Sequence, residues 1–174
     1  LGAAGGVGLA AVQVAAALGA RVIAAAATPA KRALALREGA EHVVDYTGPD
    51  WRAEVLKITG AEGVQVVFDP VGGDAFDEAV RTVGWGGRYL VVGFAAGRIP
   101  ALRVNHALVK GYDVVGVRYD VWRDRCWPQA RANLLRLLGW WREGCVRPLV
   151  SHRLPLPEAA GALQALAARQ TVGK

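Results

Sequence analysis

Gly2-Ala3-Ala4-Gly5-Gly6-Val7-Gly8, running without a break into Leu9-Ala10-Ala11-Val12-Gln13-Val14-Ala15-Ala16-Ala17-Leu18, decides the fold of this chain. A glycine-rich turn that opens an apolar helix presents unpaired backbone N–H groups and the positive end of a helix dipole where no side chain covers them. A phosphate suits that place. Against the pattern G-x-G-x-x-G the run reads Ala3-x-Gly5-x-x-Gly8, with alanine for the first glycine, clearance at Gly5, and close helix-to-strand packing at Gly8. The implied ligand is a dinucleotide, although a tight turn with no ligand has the same local sequence. Such a turn should follow a strand, and only Leu1 and Gly2 precede Ala3, so the strand is expected upstream. The absence of methionine from all 174 residues, and the end at Thr171-Val172-Gly173-Lys174 where a further strand is expected, also suggest a segment of a longer chain.

Length and composition suit one domain with a proper core, at 53% hydrophobic residues. Gln13, Gly19 and Arg21 interrupt the longest apolar stretch before the roughly 18 residues of a membrane span. Nothing resembles a secretory leader. Cys126 and Cys145 lack C-x-x-C spacing, which points to buried thiols and a reduced, cytoplasmic setting. The net charge of +6 and pI near 9.8 suit an anionic partner. Yet the arginines densest between Arg118 and Arg153 alternate with leucines and tryptophans at helical spacing, which reads as a solvated helix face and makes nucleic acid an unfavoured partner.

Two periodicities alternate along the chain, β-branched runs and segments with apolar residues three and four apart, the signature of an α/β, doubly wound parallel sheet. Helices are expected at 6–18, from Thr28-Pro29 onward, at 51–58, 73–83, 128–142 and 157–169, with a short one before residue 113. Strands are expected at 21–26, 42–45, 64–69, 88–94 and 113–117, with Gly86-Gly87 as a turn into the fourth. Trp127, Leu134, Leu138 and Trp141 share one helix face and read as core. No repeat or linker divides residues 1–174.

The second strand of a dinucleotide fold usually ends in an acid that takes the ribose 2′-hydroxyl. Here Ala24 to Ala27 are all alanine, and Thr28, Lys31 and Arg32 follow. A hydroxyl and an ammonium can bind a 2′-phosphate that a carboxylate would repel, which favours NADPH over NADH. The alternative is that Lys31 and Arg32 are ordinary surface charges. Two further strand ends open into glycine turns, Pro70-Val71-Gly72-Gly73 and Gly93-Phe94-Ala95-Ala96-Gly97, on the edge where open α/β sheets bind ligands. None of His42, His106 and His152 is paired at metal-ligand spacing. A G-x-S-x-G elbow is absent, and Arg123 stands where a Tyr-x-x-x-Lys pair headed by Tyr119 would need lysine.

The run from Leu1 to Ala20 resembles the start of the cofactor domain of medium-chain dehydrogenases/reductases, specifically the zinc-free NADPH:quinone oxidoreductase (zeta-crystallin-like) branch. Lys31 to Ala40, His42 to Tyr46, Gly63 to Gly73 and Gly86 to Phe94 are similar to segments of that branch in the same order. The resemblance implies a Rossmann-type, NADPH-binding domain with strand order 3-2-1-4-5-6, whose first, central strand is largely missing upstream. It implies Ala4, Gly5, Gly6, Val7 and Gly8 under the pyrophosphate, and Thr28, Lys31 and Tyr46 around the 2′-phosphate. Val71 would adjoin the adenosine, and Gly93, Phe94, Ala95 and Val117 would lie along the nicotinamide. Hydride transfer to a quinone or related α,β-unsaturated carbonyl is implied, with homodimerisation through the edge strand 113–117. The family's N-terminal substrate domain is not represented, so no catalytic residue is named. Alternatives are an enoyl reductase domain of a multifunctional synthase, a zinc alcohol dehydrogenase, and, in another class, a non-enzymatic NADPH-binding or RNA-binding module.

Overall fold

Helix formation begins within the glycine run. In the computed structural model, which describes residues 1–173, α1 (Gly6–Ala17) starts at Gly5, whose backbone is extended. The strand β1 (Ile23–Ala25) is followed by α2 (Pro29–Arg37), which is capped as its sequence requires: the Thr28 hydroxyl accepts the Lys31 N–H at 3.3 Å and Pro29 occupies the first turn. Then come β2 (His42–Val44), α3 (Trp51–Ile58), β3 (Val64–Asp69), α4 (Gly73–Ala79) and β4 (Val83–Val91). The chain continues through α5 (Val104–Lys110), β5 (Asp113–Gly116), α6 (Tyr119–Arg125), α7 (Trp127–Glu143) and α8 (Ala159–Ala167).

All strand pairs are parallel, in two sheets ordered β2-β1 and β3-β4-β5. Residues 1–3 lie between them. The Leu1 ammonium donates to the Phe68 carbonyl at 2.8 Å, and the Ala3 N–H donates to the Ala25 carbonyl at 3.1 Å. Beyond these two bonds the sheets are separated by a largely apolar cavity of about 590 Å³, lined among others by Val12, Ile23, Val44, Val55, Val64 and Val67.

Helices cover both faces of the sheets. Ala24 joins Ala3, Val12 of α1, and Ala35 and Ala40. Its neighbour Ala25 points the opposite way, into the larger cluster of Val44, Trp51, Val55, Val67, Phe76 and Tyr89. Small residues on the first face let α1 and α2 approach closely. Gln13, which interrupts the apolar run of α1, is buried because its amide clasps the Arg147 backbone, accepting the N–H at 3.0 Å and donating to the carbonyl at 2.8 Å, and also donates to Glu38.

Several expectations need correction. The fourth strand begins at Val83, not Arg88, so Gly86-Gly87 is internal to it; four residues of β4 stand against one of β3 between the pairs Val64–Val83 and Val66–Arg88. Gly86, at φ +67°, makes that bulge possible and donates to the Gly111 carbonyl at 2.8 Å. The helix α6 was not anticipated, because Arg118-Tyr119-Asp120 carries no cap signal. Trp127, Leu134, Leu138 and Trp141 share a face of α7 but are exposed, and Ala130 is that helix's buried residue. Nor are the thiols buried: Cys145 is exposed and Cys126 half-buried. Both follow helices that lie outside the three core clusters.

Candidate dinucleotide site

The glycine turn is tied to its surroundings at both ends. Gly5 N–H reaches the Gly2 carbonyl at 3.1 Å, and the Gly5 carbonyl accepts Leu9 N–H at 2.8 Å as the first bond of α1. Ala4 and Gly8 are buried, while Gly5 and Val7 are exposed. At Gly8 a β-carbon would lie 2.2 Å from the Gly2 carbonyl oxygen and 2.8 Å from the Ala3 Cα, so any side chain would push α1 off the turn. The cradle is therefore built on the absence of that atom. The first amides of α1, at Gly6, Val7 and Gly8, have no acceptor within their own helix. Gly173 flanks it, bridging to Gly5 and donating to the Ala4 carbonyl at 2.9 Å, where a further strand was expected.

Beside the turn, the ends of β1 and β2 meet through the Ala26 N–H, 3.1 Å from the Val44 carbonyl. Thr28 is exposed at the start of α2, and Lys31 lies one turn on, with its ammonium donating to the Arg169 carbonyl at 2.7 Å. Two donors of that ammonium remain for an anion. Tyr46 follows β2, half-buried, packed at the margin of the large core cluster. The sequence did not disclose how these parts are joined. Arg32 donates from one nitrogen to the Ala26 and Ala27 carbonyls, at 3.1 and 3.2 Å, and pairs with Asp45 at 2.7 Å. The other oxygen of Asp45 accepts the Thr47 N–H and hydroxyl, at 3.0 and 2.6 Å. Those Thr47 bonds first, and Arg32 second, hold the Asp45 carboxyl below its usual range.

The remaining strand ends form a second wall. Asp69, buried at the end of β3, accepts Val71 N–H and Gly72 N–H on one oxygen, at 2.8 and 2.9 Å, and the Tyr89 hydroxyl on the other at 2.6 Å. Burial, and next the bond to Asp69, raise the Tyr89 phenol far above its ordinary range, so this pair is structural. The turn it holds is zipped to the next: Gly93 N–H, Ala95 N–H and Ala96 N–H reach the carbonyls of Asp69, Pro70 and Val71 at 3.3, 3.1 and 2.9 Å. Val71 also leans over the glycine turn, its methyl 2.8 Å from where a Gly2 β-carbon would stand. Phe94 is exposed at the rim, and Arg98 pins α4 through Asp74, Asp77 and the Gly73 carbonyl. Val117 closes the row, its N–H on the Val91 carbonyl at 2.9 Å, beside a hollow of about 300 Å³ that includes Arg118, Tyr119 and Trp122.

The chosen residues thus lie along one edge, at the carboxyl ends of parallel strands, and the fit to a dinucleotide is good: bare amides, a row of glycine turns, and cationic and hydroxyl groups at one end. Residues 6–136 match the family described as zinc-binding dehydrogenase. The chain belongs to that family. It is a quinone oxidoreductase-like member of the medium-chain dehydrogenase/reductase superfamily, with the Rossmann-type fold of that superfamily's cofactor domains. It is 37% identical over 173 residues to quinone oxidoreductase-like protein 2 of Bos taurus, spanning 99% of this chain and 50% of that protein. Quinone oxidoreductase of Escherichia coli, solved in complex with NADPH, superposes with a TM-score of 0.86 at 29% identity, over 99% of this chain and 53% of the other. Similarity at 31% identity extends over 98% of this chain to 8% of a phenolphthiocerol/phthiocerol polyketide synthase subunit of Mycobacterium tuberculosis. The chain spans about half the length of the curated quinone oxidoreductase-like relatives it matches.

For this quinone oxidoreductase-like chain the sequence did not disclose Asp45, Asp69 and Tyr89, nor the pairing of Arg32, which it had placed beside Lys31, with Asp45. Asp69 and Tyr89 left a faint signal, an acid ending one strand and a phenol in the next. Arg32 and Asp45 left none as a pair.

Proposed function

We propose that this chain forms, over residues 1–174, the NADPH-binding domain of a zinc-independent reductase that passes a hydride to a quinone or related α,β-unsaturated carbonyl. The observation that carries the reading is the end of β1, where Ala26 and Ala27 lead to Thr28 and Lys31 and the nearby carboxylate of Asp45 is already paired with Arg32. Gly5 to Gly8, with Ala4 beneath, would seat the pyrophosphate on the start of α1. Thr28, Lys31 and Tyr46 would hold the 2′-phosphate by charge-assisted hydrogen bonds. Val71 would pack on the adenosine, while Gly93, Phe94, Ala95 and Val117 would orient the nicotinamide and keep water from it.

NADPH, when bound, supplies the hydride, and the chain's part is position and exclusion of water. Zinc-independence is part of the proposal, as is a cytoplasmic setting, which the two free thiols suit. Val114 and Val115 on β5 and Val117 just beyond it are exposed, and this edge would pair with a second copy to form a homodimer. An enoyl reductase domain of a synthase is the second reading, favoured by the likeness to the polyketide synthase subunit.

Calorimetric titration of NADPH and NADH into the full-length protein, with Lys31→Ala beside it, tests the reading. At least tenfold tighter binding of NADPH, about 1.4 kcal/mol, and its loss in the variant are expected. Equal affinities would remove Thr28, Lys31 and Tyr46 from the site, and no binding by the folded protein would favour a non-enzymatic module.

A further inference from the structure

We infer that Arg32 is a specificity-determining positioning residue which masks the Asp45 carboxylate and so lets the site accept a 2′-phosphate. The inference rests on the NADPH reading above. Asp45 is contributed by the end of β2, yet its carboxylate is two hydrogen bonds from the end of β1, because one Arg32 nitrogen bonds it together with the carbonyls of Ala26 and Ala27. Those two residues immediately precede Thr28, and Asp45 immediately precedes Tyr46. Arg32 therefore ties the carboxylate to the segment that leads into Thr28, one of the groups assigned to the phosphate, and Tyr46, another, is the next residue in the chain. An acid at this end of the site is what dinucleotide folds use to accept a ribose 2′-hydroxyl and repel a 2′-phosphate. Here the acid is present but its charge is cancelled.

The environment makes that cancellation specific. Asp45 is about 39% exposed as a side chain and Arg32 about 20%, so the guanidinium is the more enclosed partner and the carboxylate the one that solvent or ligand can reach. Thr47 holds one carboxylate oxygen and Arg32 the other, so the Thr47 bonds remain to orient the acid when its cation is removed. Lys31, by contrast, spends one donor on Arg169 and is not paired with Asp45 in the structure. The two cations divide the work: Lys31 attracts the phosphate, while Arg32 silences the group that would reject it.

The test measures NADPH and NADH affinity of the full-length protein carrying Arg32→Gln, Asp45→Asn, both together, and Arg32→Lys, with thermal unfolding of each. Glutamine removes the charge while keeping a polar, hydrogen-bonding side chain, and the unfolding measurement reads any loss of the bonds to the Ala26 and Ala27 carbonyls. Expected for Arg32→Gln is a loss of at least tenfold in NADPH affinity, with NADH unchanged or tighter. Asp45→Asn alone should stay within about threefold of the parent for both cofactors, and adding it to Arg32→Gln should restore most of the NADPH affinity. Arg32→Lys should retain the preference. The inference is overturned if the double variant stays as weak as Arg32→Gln, since Arg32 would then be a direct ligand or a brace. Equal weakening of both cofactors by Arg32→Gln also overturns it. Should Arg32→Gln fail to fold, Asp45→Asn still decides: tightening of NADPH by more than tenfold would mean that the carboxylate was never masked. Absence of NADPH binding by the unaltered protein would instead bring down the reading on which the inference stands.

Discussion

Replacing Tyr89 with phenylalanine isolates a single buried hydrogen bond. The phenol oxygen is 2.6 Å from Asp69, and the two residues are 0% and 2% exposed. Phenylalanine keeps the ring and its edge-on packing with Phe76, whose centroid lies 5.0 Å away, so the cavity left is no larger than one oxygen. What is lost is a hydrogen bond to an ionised acceptor, worth about 1.5–3 kcal/mol. Asp69 keeps its bonds from Val71 and Gly72, so the carboxylate is weakened but not stranded. A loss of about 2 kcal/mol corresponds to a fall in Tm of roughly 4–8 °C for a domain of this size. Thermal and denaturant unfolding of the full-length protein would measure it. The raised phenol adds a pH signature. Because Tyr89 stays protonated in the fold above its ordinary value of 10.0, its contribution is complete below that pH and declines above it, and Tyr89→Phe should remove this component of the alkaline decline. A loss below about 0.5 kcal/mol would refute the view that this bond holds the Pro70–Gly73 turn, since surface changes commonly reach that size.

Two further perturbations test other parts of the site and fold. Gly8→Ala should destabilise by at least about 1–3 kcal/mol, the usual range for overpacking, and weaken dinucleotide binding, because its β-carbon meets backbone at 2.2 Å; an unchanged Tm would mean that the turn is looser than described. His106, whose Nδ1 is 2.9 Å from the Tyr112 hydroxyl, is held below its ordinary 6.5 by burial first and by Lys110 and Arg81 next. A base depressed in the fold is neutral in both states at high pH, so its contribution is complete above 6.5 and is lost as the pH falls below that value. Unfolding curves between pH 7.5 and about 5 should show this component, and His106→Gln should flatten it; an unaltered slope would remove His106 from the account.

How much of this was legible depended on whether a feature needs one segment or two. The cap of α2 needs only Thr28 and Pro29, and both were found in the sequence. Strand β3 and helix α3 were placed to the residue, because β-branched and helical spacings are properties of one run. The bulge in β4 failed that condition. Gly86 and Gly87 read as a turn locally, whereas in the fold they are strand residues, with a Gly87 β-carbon 3.1 Å from the Gln65 carbonyl oxygen of the neighbouring strand. Glycine there serves contact between backbones that the sequence does not show to be adjacent. The order of the strands was recoverable only through the resemblance, since the alternating periodicities imply a parallel sheet but not which strands lie side by side.

The same distinction explains the misread face of α7 and the overlooked pairing of Arg32. Trp127, Leu134, Leu138 and Trp141 do share a face, as their spacing requires, but a shared face becomes core only when another element covers it, and among the described residues none does so fully. Arg32 differs in kind: its sequence position beside Lys31 allowed either a phosphate-facing or an ordinary surface charge, whereas its side chain is committed to Ala26, Ala27 and Asp45. If the inference above holds, charge preference at the end of β1 is a sum over two strand ends, β1 and β2, and an acid count on β1 alone suffices only where, as proposed for Arg32, a cation removes the acid on β2 from that sum. A homologue that kept Thr28 and Lys31 but lost Arg32 would look NADPH-specific by sequence and, on this reasoning, bind NADPH poorly until Asp45 was also replaced.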